Sequence, residues 1–214
     1  MLNVLFSSPL AFLLLAFALV ISLTIHEFAH AWVADRLGDP TPRSQGRVTL
    51  NPLAHLDPLG TLMLFFAGFG WGKPVQFDPY NLRNQQRDTM LIALAGPASN
   101  IILAFLVALA LPVLPFASVI WMVIITINIA LATFNLLPIH PLDGSKILSG
   151  LLPIQYAREY NDVMQRYGFI ILLALIFLPV DGGSPIDYLI RPLMDGFLAG
   201  IFAVTQFIQA SLGI

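Results

Sequence analysis

The stretch "PLAFLLLAFALVISLTIHEFAHAW", residues 9–32, decides the fold class, because an almost uninterrupted apolar run leads straight into three ionisable residues. A helix that spans a lipid bilayer needs about 20 predominantly apolar residues, and this stretch supplies them. No positively charged segment precedes the run and no small-residue cleavage site follows it, so we expect a retained span rather than a signal peptide. The ionisable residues His26, Glu27 and His30 are therefore expected at membrane depth.

The composition of the chain also indicates a membrane protein. Apolar residues make up 57% of the 214 residues, mean hydropathy is +0.82, and charged residues make up 10%. Soluble domains usually carry roughly 25% charged residues. Cysteine is absent, which excludes disulfides and thiolate catalysis, so a metal site must use His, Asp or Glu. The net charge of −2 offers no basic surplus, and we expect no nucleic-acid partner.

Apolar segments recur along the chain and predict an all-α polytopic membrane protein with about five full transmembrane helices. Four segments qualify by apolar length alone: 8–34, 89–111, 116–137 and 186–211. A fifth segment, 168–180, reaches spanning length only if its helix begins near Asp162. We expect one membrane-embedded domain over 1–214, with a core at 8–150 and C-terminal helices at 162–212.

The segment "LGTLMLFFAGFGWG", residues 59–72, is too short for a span. We expect a short re-entrant or extended element around 59–77. If this element does not cross, nine of the ten Lys and Arg residues lie on one side of the membrane, and only Arg191 lies opposite. The positive-inside rule makes the richer side cytoplasmic. We therefore expect a multi-pass protein of the cell inner (plasma) membrane, with its N-terminus outside and its ionisable cluster near the cytoplasmic side.

The motif "HEFAH" places His26 and His30 four residues apart, so on a helix their imidazoles lie on one face. This is the geometry of two neighbouring ligands of a tetrahedral zinc, while Glu27 on the adjacent flank can act on a water as general base. The alternative is a hydrogen-bonded pair of core histidines beside a chance glutamate. Ionisable residues inside a membrane are costly and usually functional, which favours the metal site.

Catalytic zinc usually takes three protein ligands and keeps one position open, so a third ligand must come from elsewhere in the chain. The segment "FNLLPIHPLDGSKIL", residues 134–148, ends a span, is broken by Pro138 and Pro141, and contains Asp143. Irregular backbone at membrane depth is tolerated where it lines a cavity, and Asp143 is our candidate ligand. Spacing alone supports two roles for Asp143 equally well: a metal ligand, or a turn residue or N-cap of a helix over 145–151.

Three motifs occur in order along the chain: "HEFAH" at 26–30, "LAGPASN" at 94–100 and "NLLPIHPLDG" at 135–144. With these motifs the chain resembles the site-2 protease family of intramembrane zinc metalloproteases, in the compact bacterial form without PDZ or CBS domains. The motifs bracket about 120 of the 214 residues. The resemblance therefore concerns the greater part of the chain.

The resemblance implies that His26, His30 and Asp143 bind one zinc ion per chain. It implies that Glu27 is the catalytic base. Further implied roles are the positioning of substrate by Asn100, Asn135 and Pro138, and close helix packing at Gly96 and Pro97.

Two more histidines have uncertain roles. His55 as a fourth ligand would close the open coordination position, whereas its place in a proline-flanked loop favours a gating or structural role. His140 stands where relatives commonly have an apolar residue. It is either an occasional metal ligand or outer hydrogen-bond donor, or a histidine of the membrane interface.

The predicted function is that of an intramembrane zinc metalloendopeptidase. It hydrolyses peptide bonds within or next to the transmembrane segment of a single-span membrane protein in the lipid bilayer, in regulated intramembrane proteolysis. An unwound substrate could pair with an extended edge at residues 75–77. One alternative is a membrane metal transporter, which would need acidic or His residues on several spans. The other is a non-proteolytic membrane scaffold, in which we would expect Glu27 or a metal ligand to be missing.

Overall fold

Helices form nearly all the regular structure of the protein. The computed structural model describes residues 6–67, 70–113, 118–180 and 183–212, and within these ranges β-structure is confined to isolated bridges. The predicted all-α fold class is confirmed. In chain order the helices are α1 (Pro9–Arg36), α2 (Thr41–Ser44), α3 (Pro58–Ala67), α4 (Gln85–Ala110), α5 (Ser118–Asn135), α6 (Asp143–Leu151), α7 (Ile154–Phe177) and α8 (Pro185–Leu212).

Four helices, α1, α4, α5 and α8, are long and apolar enough to cross a membrane. Helix α1 begins cleanly because Ser8 accepts a hydrogen bond from the N–H of Ala11 and Pro9 takes the first helical position, where its missing N–H costs nothing. The helices expose many large apolar side chains, which would be unfavourable in water but suits contact with lipid. The chain is therefore a multi-pass membrane protein.

Helix α7 differs from the expected fifth span. It begins at Ile154, directly after Pro153, and not near Asp162. Proline fits the start of a helix but not its interior, so Pro153 sets the boundary. The first half of α7 carries exposed charges such as Arg158 and Glu159, and its apolar part starts only near Gly168. The apolar part of α7 is thus too short to meet the composition of a membrane span, and a fifth crossing stays a prediction.

The element around 59–77 is a short helix followed by a non-helical segment, as its length predicts. Helix α3 has 10 residues and, at about 1.5 Å per residue, is far too short for a hydrocarbon core about 30 Å thick. Residues 70–78 form neither a helix nor a strand, and Gly72 makes an isolated antiparallel bridge to Leu56. The N–H of Lys73 donates to the carbonyl of His55 at 2.8 Å. Residues 68 and 69 lie outside the described ranges.

Small residues allow the central helices α1, α4 and α5 to pack closely. Apolar side chains gain little by leaving lipid for a helix interface, so membrane helices associate mainly where small residues let the backbones approach. Gly150 of α6 likewise meets α4, since a Cβ there would lie 2.4 Å from the Cβ of Met90. The fully buried alanines of the three central helices are Ala18, Ala31, Ala34, Ala93, Ala104, Ala108 and Ala132.

Candidate metal centre

Three side chains that are far apart in sequence converge at one buried point. The Oδ2 atom of Asp143 lies 3.1 Å from Nε2 of His26 and 3.1 Å from Nε2 of His30. The two Nε2 atoms are 3.0 Å apart. The structure thus brings together the three ligands implied by the sequence, and they form a group able to hold a metal ion.

The donor set fits zinc. Tetrahedral zinc with bonds of about 2.0–2.2 Å to nitrogen and oxygen keeps its ligand atoms roughly 3.3–3.5 Å apart. The observed separations of 3.0–3.1 Å are close to this value. Two imidazoles and one carboxylate leave the fourth position of a tetrahedron to water or substrate, which is the arrangement of catalytic rather than structural sites.

Hydrogen bonds on the far side of each imidazole direct its Nε2 atom at the centre. Nδ1 of His26 lies 2.6 Å from Oδ1 of Asn100, and Nδ1 of His30 lies 2.7 Å from the carbonyl of Ile92. Both partners are acceptors, so each Nδ1 must carry the proton and donate. The Nε2 lone pairs are then free for a metal, as in most histidine metal sites.

Asp143 reaches the centre because the chain breaks between α5 and α6. It is the first residue of α6, and Leu142 occupies the N-cap position without a side-chain capping bond, so Asp143 is not the N-cap considered above. Gly144 packs against the backbone that follows the end of α5, since a Cβ there would lie 2.3 Å from the carbonyl oxygen of Leu136.

Gly96 lets α4 pass directly over the two histidines. A Cβ at this position would lie 2.4 Å from Nε2 of His30 and 2.6 Å from Nε2 of His26. Those are the atoms that face the metal position. A side chain at 96 would therefore occupy the coordination space itself, so the implied packing role of Gly96 extends to the metal centre.

We expect the Gly96→Ala protein to bind zinc more weakly than the wild type. Overpacking of this kind costs about 1–3 kcal/mol, which corresponds to roughly 5- to 150-fold in affinity if it falls on the metal-bound state. Affinity is measured by competition with a chromogenic chelator. Gly196→Ala on α8 is the matched control, since nothing lies within 4 Å of a Cβ there. Equal affinities of the two variants would contradict the prediction.

A buried polar network extends from His26 across three helices. The amide nitrogen of Asn100 donates to Oδ1 of Asn128 at 2.7 Å and to the carbonyl of Ser22 at 3.0 Å. The amide nitrogen of Asn128 donates to Oγ of Ser22 at 2.8 Å. These bonds also orient Asn100 so that its oxygen faces His26. Sequence reasoning did not find Ser22 or Asn128, although a polar amide within a span is a signal for such a network.

Replacing Asn100 with Ala is expected to weaken zinc binding by roughly 10- to 100-fold, the usual effect of removing a hydrogen-bond partner of a metal-bound histidine. The substitution leaves Nδ1 of His26 without its acceptor, so the ring is no longer held in one orientation. Asn135→Ala is the control, because the amide of Asn135 donates to Leu131 of its own helix at 3.0 Å. Chelator competition on both variants measures the effect, and a loss confined to Asn135→Ala would refute this role of Asn100.

Glu27 lies beside the ligand group and faces the non-helical segment after α3. Its Oε2 accepts a hydrogen bond from the N–H of Val75 at 3.0 Å. The same oxygen lies 3.8 Å from Nη2 of Arg47. Glu27 is 9% exposed, so it is largely shielded from solvent.

Asn135 and Pro138, implied as substrate-positioning residues, make other contacts in this structure. The amide of Asn135 bonds within α5, as described above. Pro138 is exposed, and its carbonyl accepts a hydrogen bond from the hydroxyl of Tyr160 at 2.7 Å. Their contact with substrate stays a prediction.

His55 and His140 lie outside the group of three potential ligands. His55 is fully buried in the loop before α3, and its Nε2 lies 2.8 Å from the carbonyl of Thr49. Burial lowers the pKa of His55, which keeps the ring neutral, so it donates from Nε2. His140 is partly buried, and burial together with Lys146 lowers its pKa. The structural role of His55 is favoured over the role of a fourth ligand.

Comparison with known proteins gives a consistent picture. The sequence model of peptidase family M50 matches residues 14–119 and 114–177. The chain is 38% identical over 197 residues to the Bacillus subtilis protein named "Putative zinc metalloprotease YwhC", and the match covers 85% of each chain. It is 32% identical to "Putative zinc metalloprotease Rip2" of Mycolicibacterium smegmatis, over 78% of this chain and 68% of the relative. No solved structure matches the chain.

Proposed function

This chain belongs to peptidase family M50, the site-2 protease family, and from that premise we propose that it cleaves a peptide bond within or next to a transmembrane segment. Its family and its apolar helices make it a membrane metalloprotease with zinc as cofactor. The intramembrane site of cleavage, a single-span substrate and a role in regulated proteolysis are the parts that we propose.

The observation that carries the proposal is the position of the ligand group on a membrane helix. His26 and His30 belong to α1, which is long and apolar enough to cross a membrane. A soluble substrate would have to enter the bilayer to reach them. A transmembrane segment of another protein can instead approach laterally through lipid, which favours a membrane-protein substrate.

In the proposed mechanism, His26, His30 and Asp143 would hold the metal. Bound zinc supplies Lewis acidity, which polarises a carbonyl group and makes water acidic near neutral pH. Glu27 accepts the proton of the attacking water and passes it to the nitrogen of the leaving peptide. Asn100 keeps the imidazole of His26 in the tautomer that binds metal.

The substrate must unwind locally before cleavage, because an intact helix hides its carbonyl groups in its own hydrogen bonds. The non-helical segment at residues 70–78 passes next to Glu27, and Val75 directs its N–H to that residue. Pairing of an unwound substrate with residues 75–77 remains part of the proposal. The chain there forms isolated backbone contacts but no strand within the described ranges.

The proposed orientation puts the N-terminus outside the cell and the metal centre near the cytoplasmic side of the inner membrane. His26 and His30 lie in the C-terminal half of α1, which ends at Arg36. The loop that follows carries Arg43 and Arg47, and a positive loop is typical of the cytoplasmic side.

The proposal is tested by purifying the protein in detergent, measuring its zinc content and incubating it with single-span membrane proteins in liposomes. We expect about one zinc per chain and cleavage products that end within or beside the span, as read by mass spectrometry. Zinc uptake into liposomes without any cleavage would favour the transporter instead. Zinc binding with neither cleavage nor transport would favour a scaffold.

A further inference from the structure

Arg47 is a buried cation that the proposed mechanism does not use. It lies in the loop between α2 and α3 and is only 3% exposed. Arginine is almost never fully buried unless its charge is paired. Here Nη2 donates a hydrogen bond to the carbonyl of Lys73 and lies 3.8 Å from Oε2 of Glu27. The guanidinium therefore joins the non-helical segment after α3 to Glu27.

The stability of the loop does not account for this arrangement. The Nε atom of Arg47 is buried and has no hydrogen-bond partner among the described residues. Leaving a buried donor unsatisfied costs about 1–3 kcal/mol, and an apolar side chain of similar size would avoid that cost. An incompletely satisfied guanidinium beside a carboxylate at the metal centre points to a role in that centre.

The contacts of the segment at residues 73–76 indicate what this role is. Arg47 holds the carbonyl of Lys73, and two residues later the N–H of Val75 donates to Oε2 of Glu27 at 3.0 Å. One carboxylate oxygen thus faces both a backbone donor and a cation. A cleft of about 210 Å³, lined by Gln45, Arg47, Lys73, Pro74 and Gln76, opens beside these contacts.

We propose that Arg47 is a positioning residue, which fixes the segment at 73–76 and thereby orients the carboxylate of Glu27. This inference rests on the proposed function, because Glu27 needs a defined orientation only if it transfers protons. A displacement of about 1 Å in a catalytic group can cost on the order of 10²-fold in rate. Arg47 contacts none of the three metal ligands in the described structure, so its effect is separate from metal binding.

The test compares Arg47→Met and Arg47→Lys with the wild type. Methionine fills similar space without charge, and lysine keeps the charge but cannot bond in two directions with a planar fork. Arg43→Met is the matched control, since Arg43 lies four residues earlier, on α2, and pairs with Asp35 at the surface. Zinc content, kcat and KM for a single-span substrate, and amide hydrogen exchange of Lys73, Val75 and Gln76 are measured on each protein.

We expect Arg47→Met to bind zinc normally, to lose roughly 10- to 100-fold in kcat with little change in KM, and to show faster exchange at Val75. Arg47→Lys should recover part of kcat, and Arg43→Met should behave as the wild type. An unchanged kcat in Arg47→Met would overturn the proposal. A rise in kcat would also overturn it, because the segment would then be an inhibitory cover over Glu27.

Hydrogen exchange separates this inference from the proposed function. If the wild-type protein cleaves no substrate but Val75 exchanges faster only in the Arg47 variants, the proposed function fails while the structural link from Arg47 to the segment holds. If the wild type cleaves and Val75 exchanges equally in all variants, the positioning role fails and the proposed function stands.

Discussion

Replacing Glu27 with Gln is expected to lower the rate of peptide hydrolysis by roughly 10²- to 10⁴-fold, the usual contribution of a general acid–base group, while zinc stays bound. The amide has the size of the carboxylate and keeps an oxygen that can accept from Val75. It cannot take a proton from water near neutral pH. The metal ligands are untouched, so the loss should appear in kcat rather than in zinc content.

The control for this prediction is Glu159→Gln, the same substitution at the only other glutamate of the chain, which is exposed on α7. Both variants are assayed for zinc content and for cleavage of the same single-span substrate. Cleavage by Glu27→Gln at the wild-type rate, with zinc bound, would show that another group transfers the proton. Loss of zinc from Glu27→Gln would instead assign Glu27 to the metal shell.

Replacing Asp143 with Ala is expected to remove zinc binding and, with it, all measurable cleavage. A direct ligand should matter more than the roughly 10–100-fold of an outer partner. Two histidines alone leave the tetrahedral site with half its coordination. The substitution also removes the negative charge that faces Nε2 of His26 and of His30.

Thermal unfolding with and without added zinc gives a readout that does not need a substrate. A ligand at 100 times its Kd stabilises the folded state by about 2.7 kcal/mol, so the wild type should gain a zinc-dependent shift. Asp143→Ala should show no such shift, whereas Asp162→Ala, at an exposed position on α7, should keep it. A full shift in Asp143→Ala would mean that the third ligand is another residue.

The features that sequence reasoning found are those that depend on local spacing. His26 and His30 are one helical turn apart, so any helix through "HEFAH" puts them on one face. The shortness of residues 59–72 likewise favours a re-entrant or extended element over a span, and the distribution of Lys and Arg supports the same choice. Asp143 became a candidate ligand because it lies in the proline-broken segment at 134–148. The resemblance then favoured this role, since spacing alone left a turn aspartate or an N-cap as well supported as a metal ligand.

The features that sequence reasoning missed depend on contacts between distant segments. Asn128 belongs to the centre only because α5 crosses α1 and α4 at the level of Asn100. Arg47 belongs to it only because a loop folds back over Glu27. In a linear sequence a single Asn in a span or a single Arg in a loop has many possible roles, and packing chooses among them.

The sequence by itself determined a multi-pass membrane protein with two candidate metal ligands, His26 and His30, and a neighbouring glutamate on one helix, because apolar length and helical periodicity are local properties. Only the tertiary structure decided that Asp143 completes the group, that Gly96 leaves room for it, and that Asn100 orients His26. These three residues approach α1 through the packing of α4 and α6, and the distances that matter, near 3 Å, are set where helices meet rather than along any one of them.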